Sequence, residues 1–321
     1  MSSQTVNRST LFPVVICLLL LIIVPVPTTI SAEDPRPTVI CTTSVLGSIV
    51  EDLAGDKVDV VIIASTSTCP AHYDVRPKDV EAVMKASLIL YHGMEAWLEK
   101  LVETSGSNAT LVKVSGTWNT PEGAISYYTH VAEILNEYLG LDTSERLERS
   151  IENINSTAEH LKERAEEKGV EKVKVICMTW QKPFVSWLGF NVILEYGPPE
   201  KLSSSDVAEL VETGKKEGAM LVISNLQSGI AVGKYIADDI GAIHVVLTNF
   251  PDPDEGLLNL SHVFMHNAES LLKAMEEYEL MQEMRALKRS LHFYIVLSYS
   301  FAVIAAVEAA ILIYLLALRR R

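Results

Sequence analysis

From Pro37 to Leu247 the sequence alternates short β-branched runs with amphipathic stretches, and one long polar segment interrupts the alternation. Before the interruption, strands are predicted at Thr38–Thr42, Val58–Ile63 and Leu88–Tyr91. Helices are predicted over Val45–Ala54 and Lys78–Ala86, and from beyond Gly123 to about Leu139. After it come strands at Lys174–Met178, Val192–Glu195, Met220–Ser224 and His244–Leu247, with helices through Val185–Leu188, Ser205–Glu217 and Ile230–Ile240. Strands separated by helices pair in parallel, so each block closes into a sheet covered by helices. The interrupting segment opens at Asp142 with Glu145 three residues on, the carboxylate form of a capping box. Leu147, Ile151, Ile154, Ala158, Leu161 and Ala165 then step by four and three, one buried stripe on a helix ending at Gly169. About 25 residues at 1.5 Å each give roughly 38 Å, enough to span two lobes. The predicted fold class is α/β: two α/β lobes joined by one long helix.

The two ends carry a different signal. Arg8, the apolar run Val14–Val24 and the small-residue stretch Thr28–Ala32 read in the order of a secretory signal peptide, with cleavage expected after Ala32. Cys17 lies inside the apolar run behind Val15 and Ile16, without the small residue expected before a lipidated cysteine. At the other end, Phe293–Leu318 is almost wholly apolar and long enough to cross a bilayer as one tilted helix. Arg319, Arg320 and Arg321 follow, and the positive-inside rule keeps them in the cytoplasm. The expected product is a single-pass protein of the cell membrane with its folded domain extracytoplasmic. Its parts are a signal peptide (1–32), an N-terminal lobe (33–141), the linking helix (142–169), a C-terminal lobe (170–265), a final helix and stalk (266–292), the span (293–318) and a basic tail (319–321).

A formal net charge of -14 argues against nucleic acid and against adsorption to an anionic membrane surface, both of which call for a basic face. Beyond the signal, Cys41, Cys69 and Cys177 are too few for a disulfide framework. Three N-x-S/T sequons, at Asn108, Asn155 and Asn259, fall in the exterior part, where N-glycans would be added. The sequence has no G-x-S-x-G elbow, no H-E-x-x-H, no phosphate-binding G-x-x-x-x-G-K and no dinucleotide G-x-G-x-x-G in a strand–turn–helix setting. The expectation is a binding protein and not an enzyme. The enzyme alternative is a metal hydrolase using His72.

Three ordered stretches carry a resemblance: Gly55–Val60; Pro70-Ala-His72-Tyr-Asp-Val-Arg76-Pro-Lys-Asp-Val80; and Ala86–Leu98, which contains Tyr91-His92-Gly93 and Glu95-Ala-Trp97-Leu98. Together they resemble the solute-binding proteins of zinc and manganese ABC importers, whose P-H-x-Y stretch supplies a first metal histidine. Trp118 and Pro121 look like that family's W-L-D-P, Asp142–Gly169 like its rigid backbone helix, and Asn225-Leu226-Gln227 like its E-x-Q. The resemblance implies two lobes that clamp one divalent ion, zinc or manganese, and deliver it to an ABC permease and its ATPase.

The ligand set departs from the family's three histidines and a carboxylate. His72 keeps the first position, Gly116 stands at the second and Met178 at the third. Asn225 and Thr248 or Asn249 stand at the acidic positions. Three readings stay open. In the first, a different ion such as copper(I) is held by Cys69, His72, Cys177 and Met178, although Cys177 and Met178 are neighbours on a strand and point to opposite faces. In the second, a non-metal solute is held by Trp118, Trp180, Trp187, Arg76 and Asn225. In the third, the chain is a non-transport adhesion or assembly module. Trp118 and Gly116 are expected to line the cleft. His92, at a strand end, is a substitute ligand or a capping residue. His244 is read as structural, His262 and His266 as a solvated helix face, and Trp97 as core. Glu308, inside the apolar span, is expected to face a partner helix, to snorkel or to be protonated, and contact with the importer's permease is the hypothesis its position suggests.

Overall fold

A computed structural model describes residues 36–319; residues 1–35, which include the expected signal peptide, and the last two arginines lie outside the described residues. The first lobe comprises β1 (Thr38–Cys41), α1 (Ser44–Ala54), β2 (Asp59–Ile62), α2 (Pro77–Met84), β3 (Leu88–Tyr91), α3 (Leu98–Ser105), β4 (Thr110–Lys113) and α4 (Pro121–Leu139). The linking helix α5 (Ser144–Lys168) follows. The second lobe is β5 (Lys174–Met178), α6 (Lys182–Leu188), β6 (Asn191–Tyr196), α7 (Ser204–Glu217), β7 (Leu221–Asn225), α8 (Ala231–Ile240) and β8 (Ile243–Leu247), and α9 (Leu260–Arg319) closes the chain. Each lobe is built on a four-stranded, wholly parallel sheet, of order β2-β1-β3-β4 in the first and β6-β5-β7-β8 in the second.

Side-chain alternation along the central strands explains why both sheet faces are covered. Val39 and Cys41 of β1 and Leu88 and Leu90 of β3 point into one cluster, while Ile40 and Ile89 point into another beneath α2 and α3. In the second lobe, Val175, Cys177, Leu221 and Ile223 join the first cluster, and Ile176, Met178 and Val222 turn to the far face with Tyr196 and Ile236. One apolar cluster is therefore continuous through both lobes. Helix α5 seals it with Ile154, Leu161 and Ala165, packed against α4 and α9. A shared core of this kind resists hinge opening, because parting the lobes would expose it. Close approach is also needed where α8 crosses β7: a Cβ on Gly233 would lie 2.0 Å from the Ser224 hydroxyl.

Three details differ from the sequence expectation. Strand β4 is an edge strand with half-exposed side chains and lacks the apolar run that marks its neighbours. The capping box at Asp142 does not close. Asp142 accepts from the Ser144 amide and hydroxyl at 3.0 and 2.8 Å, and Glu145 turns to Arg149, so α5 begins at Ser144. The boundary placed after residue 265 falls inside α9, which runs unbroken from the second lobe through the apolar segment.

Candidate functional site

The seam between the lobes is the place where the expected ligands would meet. On the first lobe, the loop after β2 carries Thr66, Cys69 and His72. Its outer half is fixed by a buried tyrosine: Tyr73 donates to the Asp79 carboxylate at 2.9 Å, the Arg76 amide donates to the same oxygen at 2.7 Å, and Trp97 Nε1 donates to the Pro70 carbonyl at 2.7 Å. Trp97 also packs on Tyr73, and burial, followed by the Asp79 hydrogen bond, pushes the Tyr73 hydroxyl up to about 12. The scaffold leaves His72 exposed on a short 3-10 turn, Pro70–His72.

Beneath that loop lies a buried polar cluster. His92 Nε2 is 2.8 Å from the Thr43 hydroxyl, and Nδ1 is 3.3 Å from the Tyr127 hydroxyl. Glu95 accepts from the Thr42 hydroxyl at 2.6 Å, the His92 amide at 3.0 Å and the Gly93 amide at 2.7 Å. Burial works to raise the Glu95 carboxyl, but these donors and the nearby imidazole hold it below the usual carboxylate range. Burial, partly opposed by Glu95, holds His92 below the usual histidine range. His92 is thus a fully engaged structural histidine, with the Trp118 ring tilted against it at a centroid distance of 4.5 Å.

Trp118 begins the contact with the second lobe, donating from Nε1 to the Asn249 carbonyl at 2.9 Å. Asn119 donates to the Trp180 carbonyl at 2.7 Å, and Asn249 donates to the same carbonyl at 3.1 Å. Gln227 reaches the other way, from the second lobe to the Thr66 carbonyl at 2.8 Å, and the Thr66 hydroxyl donates to Asp252 at 2.7 Å. Among the described residues, four direct hydrogen bonds thus cross the seam: Trp118–Asn249, Asn119–Trp180, Gln227–Thr66 and Thr66–Asp252.

The residues at the proposed ligand positions are largely absorbed into this latch. Gly116 has φ +124°, a conformation that L side chains rarely adopt, and its carbonyl accepts from Tyr127. The position lacks an imidazole, and its backbone is also set against one. Met178 is buried on the far face of its sheet, with Sδ accepting the Trp180 amide at 3.3 Å. Asn225 accepts from Ser228 through its amide and hydroxyl, Thr248 receives Gln227 at 2.9 Å, and the Thr248 amide donates to Asn267. Cys69 is half-buried, and the Cys177 side chain lies buried in the shared core, on the opposite face of the sheet from the Met178 side chain. Among the described residues, no group of three or more His, Cys, Asp or Glu side chains is gathered tightly enough to hold a metal ion. The second solute set is also dispersed, since Arg76 lies over Tyr73 and Trp187 packs on Phe184 under Lys162. His244 bonds Ser224 at 2.9 Å, and the His262 amide is capped by Asn259. Of the sequon residues, Asn108 and Asn155 are exposed, whereas Asn259 is half-buried at the start of α9.

Sequence reasoning missed Thr66, Asn119 and Asp252, and quoted Glu95 only as part of a motif, without its buried hydrogen bonds. Polar residues in loops have no periodicity to mark them, and only the E-x-Q resemblance pointed towards Gln227.

Two α/β lobes on parallel sheets, joined by one long helix and meeting across a polar seam, define the metal-receptor fold. The chain belongs to the family described as zinc-uptake complex component A, periplasmic, whose model matches residues 39–274. The family is one of solute-binding receptors and not of enzymes. The chain is 33% identical over 81 residues to the manganese ABC transporter substrate-binding lipoprotein PsaA of Streptococcus mitis, 23% of this chain and 26% of that one. It is 31% identical over 81 residues to the iron ABC transporter substrate-binding lipoprotein MtsA of Streptococcus pyogenes serotype M1, again 23% and 26%. The chain therefore spans about a quarter of the length of the curated relatives it matches. Among solved structures, a periplasmic metal binding protein from Candidatus Liberibacter asiaticus superposes with a TM-score of 0.64 at 18% identity. The periplasmic zinc binding protein TroA from Treponema pallidum does so with 0.64 at 15% identity. Each covers 74% of this chain and 99% of the other, and they establish the shared fold.

Proposed function

We propose that the chain is the extracytoplasmic receptor subunit of a metal-ion ABC importer, held on the outer face of the membrane by α9 and delivering its ion to a permease coupled to an ATPase. The observation that carries the reading is the family match, which extends through both lobes. Helix α9 supports the anchor: it contains one segment long and apolar enough to cross a bilayer, with mean hydropathy 2.5 and no burial against the rest of the chain. Zinc or manganese is the cargo favoured by family descent, and His72 is the donor proposed to receive it. Met178, Asn225, Thr248 and Cys69 are the proposed companions, the first three requiring release from their present contacts. Asn108 and Asn155 are the sequons proposed to carry glycans, since both are exposed.

A specific observation favours a second reading, a neutral polar solute. The Gln181 side chain is fully buried with neither amide atom bonded, and Asn249 Oδ1 is buried without a partner beside the Trp180 carbonyl. Amide groups in that condition suit a small molecule that both donates and accepts hydrogen bonds, whereas a cation would use only their oxygens. Equilibrium dialysis of the chelator-stripped chain against zinc and manganese separates the two. Saturable uptake of one ion per chain, lost in His72→Ala, supports the metal receptor. No uptake of either ion sinks it in favour of the neutral solute.

A further inference from the structure

Beyond the lobes, α9 carries an apolar face that its own chain does not cover. The lobe-facing side runs through the buried or half-buried Leu271, Met275, Tyr278 and Gln282 to Arg285, which donates to the Gly241 carbonyl at 3.4 Å. At about 100° of rotation per residue, Leu280, Met284, Leu287 and Leu291 lie on the opposite side. They are 60%, 52%, 70% and 58% exposed, so a second helix can reach them without meeting the lobe. Their spacing of four, three and four is the seam of a left-handed coiled coil. The same spacing continues through Tyr294, Ser298, Phe301, Ala305, Glu308 and Leu312, about 48 Å of helix in all.

We propose that this face pairs with the same face of a second copy, forming a parallel two-stranded coiled coil that starts at Leu280 and continues through the apolar segment. The parallel direction rests on the anchor proposed above, because two copies inserted with the same topology present α9 in the same sense. Two further features fit a copy of this chain. With Met284 and Leu291 at a and Leu287 at d, Glu283 falls at g and Lys288 at the following e, the positions that bridge between parallel helices. The charges are opposite, and the two-fold axis forms the pair twice. Glu308 falls at a d position of the same seam, where its carboxyl meets its symmetry mate at equal depth and leaves lipid, the environment in which it is most costly. A permease helix would need its own matching charges, whereas this seam is complementary to itself.

The test uses the purified full chain in phosphatidylcholine vesicles, with Cys17 and Cys69 changed to serine and either Leu287→Cys or Arg289→Cys added, under a mild oxidant. Leu287→Cys is expected to give a disulfide-linked species of twice the monomer mass, and Arg289→Cys, on the opposite side, little or none. Glu283→Lys should lower the Leu287→Cys yield roughly threefold, and the double reversal Glu283→Lys/Lys288→Glu should restore it. Equal yields at 287 and 289, or no dimer in vesicles that retain the chain, overturn the proposal. So does crosslinking of Leu287→Cys only to a different protein in native membranes. A chain that does not sediment with the vesicles overturns the anchor first, and the parallel dimer with it.

Discussion

Replacing Trp118 with alanine tests the latch between the lobes. The indole is half-buried, 4.5 Å from the His92 ring, 5.6 Å from Tyr127 and 6.2 Å from Phe250, and it donates across the seam to the Asn249 carbonyl at 2.9 Å. Full truncation of a buried tryptophan costs about 3–5 kcal/mol. Half-burial lowers that to about 2–3 kcal/mol, and stranding the Asn249 carbonyl adds about 1 kcal/mol. The sum, about 3–4 kcal/mol, corresponds to a fall in Tm of roughly 6–16 °C for a chain of this size. Trp118→Phe keeps most ring contacts and loses only the N–H donor, so it should cost about 1 kcal/mol, or roughly 2–4 °C. The assay is thermal unfolding of the detergent-solubilised chain by circular dichroism, with all three proteins side by side. An alanine variant that loses less than about 2 °C, or a phenylalanine variant as damaged as alanine, would refute the idea that this ring joins the lobes.

Further outcomes follow from the same geometry. Burial keeps His92 neutral in the fold, so below about pH 6.5 the unfolded chain takes up a proton that the folded chain refuses. Stability from this residue should therefore fall on acidification from that point, by up to about 1.4 kcal/mol per pH unit, and His92→Gln should flatten the slope in urea titrations. Glu95→Ala leaves two buried donors and one part-buried donor unpaired and should cost about 3 kcal/mol by chemical denaturation; a loss below about 1 kcal/mol would mean the donors find other partners. Burial raises the thiols of Cys41 and Cys177, so in the native fold a thiol reagent should label Cys69 and spare both until the chain unfolds. Gly116→His should destabilise the chain and add no zinc affinity, because the backbone there is left-handed; tighter zinc binding on titration would show that the loop can rearrange.

The fold was legible because its signals are periodic. The β-branched runs of β1, β3, β5 and β7 are buried on both faces, and the stripe Ile154, Leu161, Ala165 marks the inner side of α5. Strand β4 was not read, since an edge strand with half-exposed side chains carries a weak pattern. Of the seam, Trp118 was found through a short motif, and Cys177 and Met178 were separated by strand alternation alone. The latch itself was hidden. Thr66 meets Asp252 across 186 residues, and Trp118 meets Asn249 across 131, distances over which sequence spacing implies nothing about contact. The role of His92 was also ambiguous, because only the surrounding Thr43, Tyr127 and Glu95 decide that it is buried and engaged and not held free for a ligand.

The central claim, a metal-importer receptor whose one imidazole at a family ligand position is His72, is tested most directly by thermal unfolding of the chelator-stripped chain with zinc, manganese, copper(I) under reducing conditions, or no metal, beside His72→Ala. An ion at about 100 times its dissociation constant adds roughly 2.7 kcal/mol. The account predicts a rise of several degrees with one ion that vanishes in His72→Ala, and a metal-free chain that still unfolds cooperatively because the lobes are latched by their own side chains. No rise with any ion, or a rise that His72→Ala leaves intact, would contradict it.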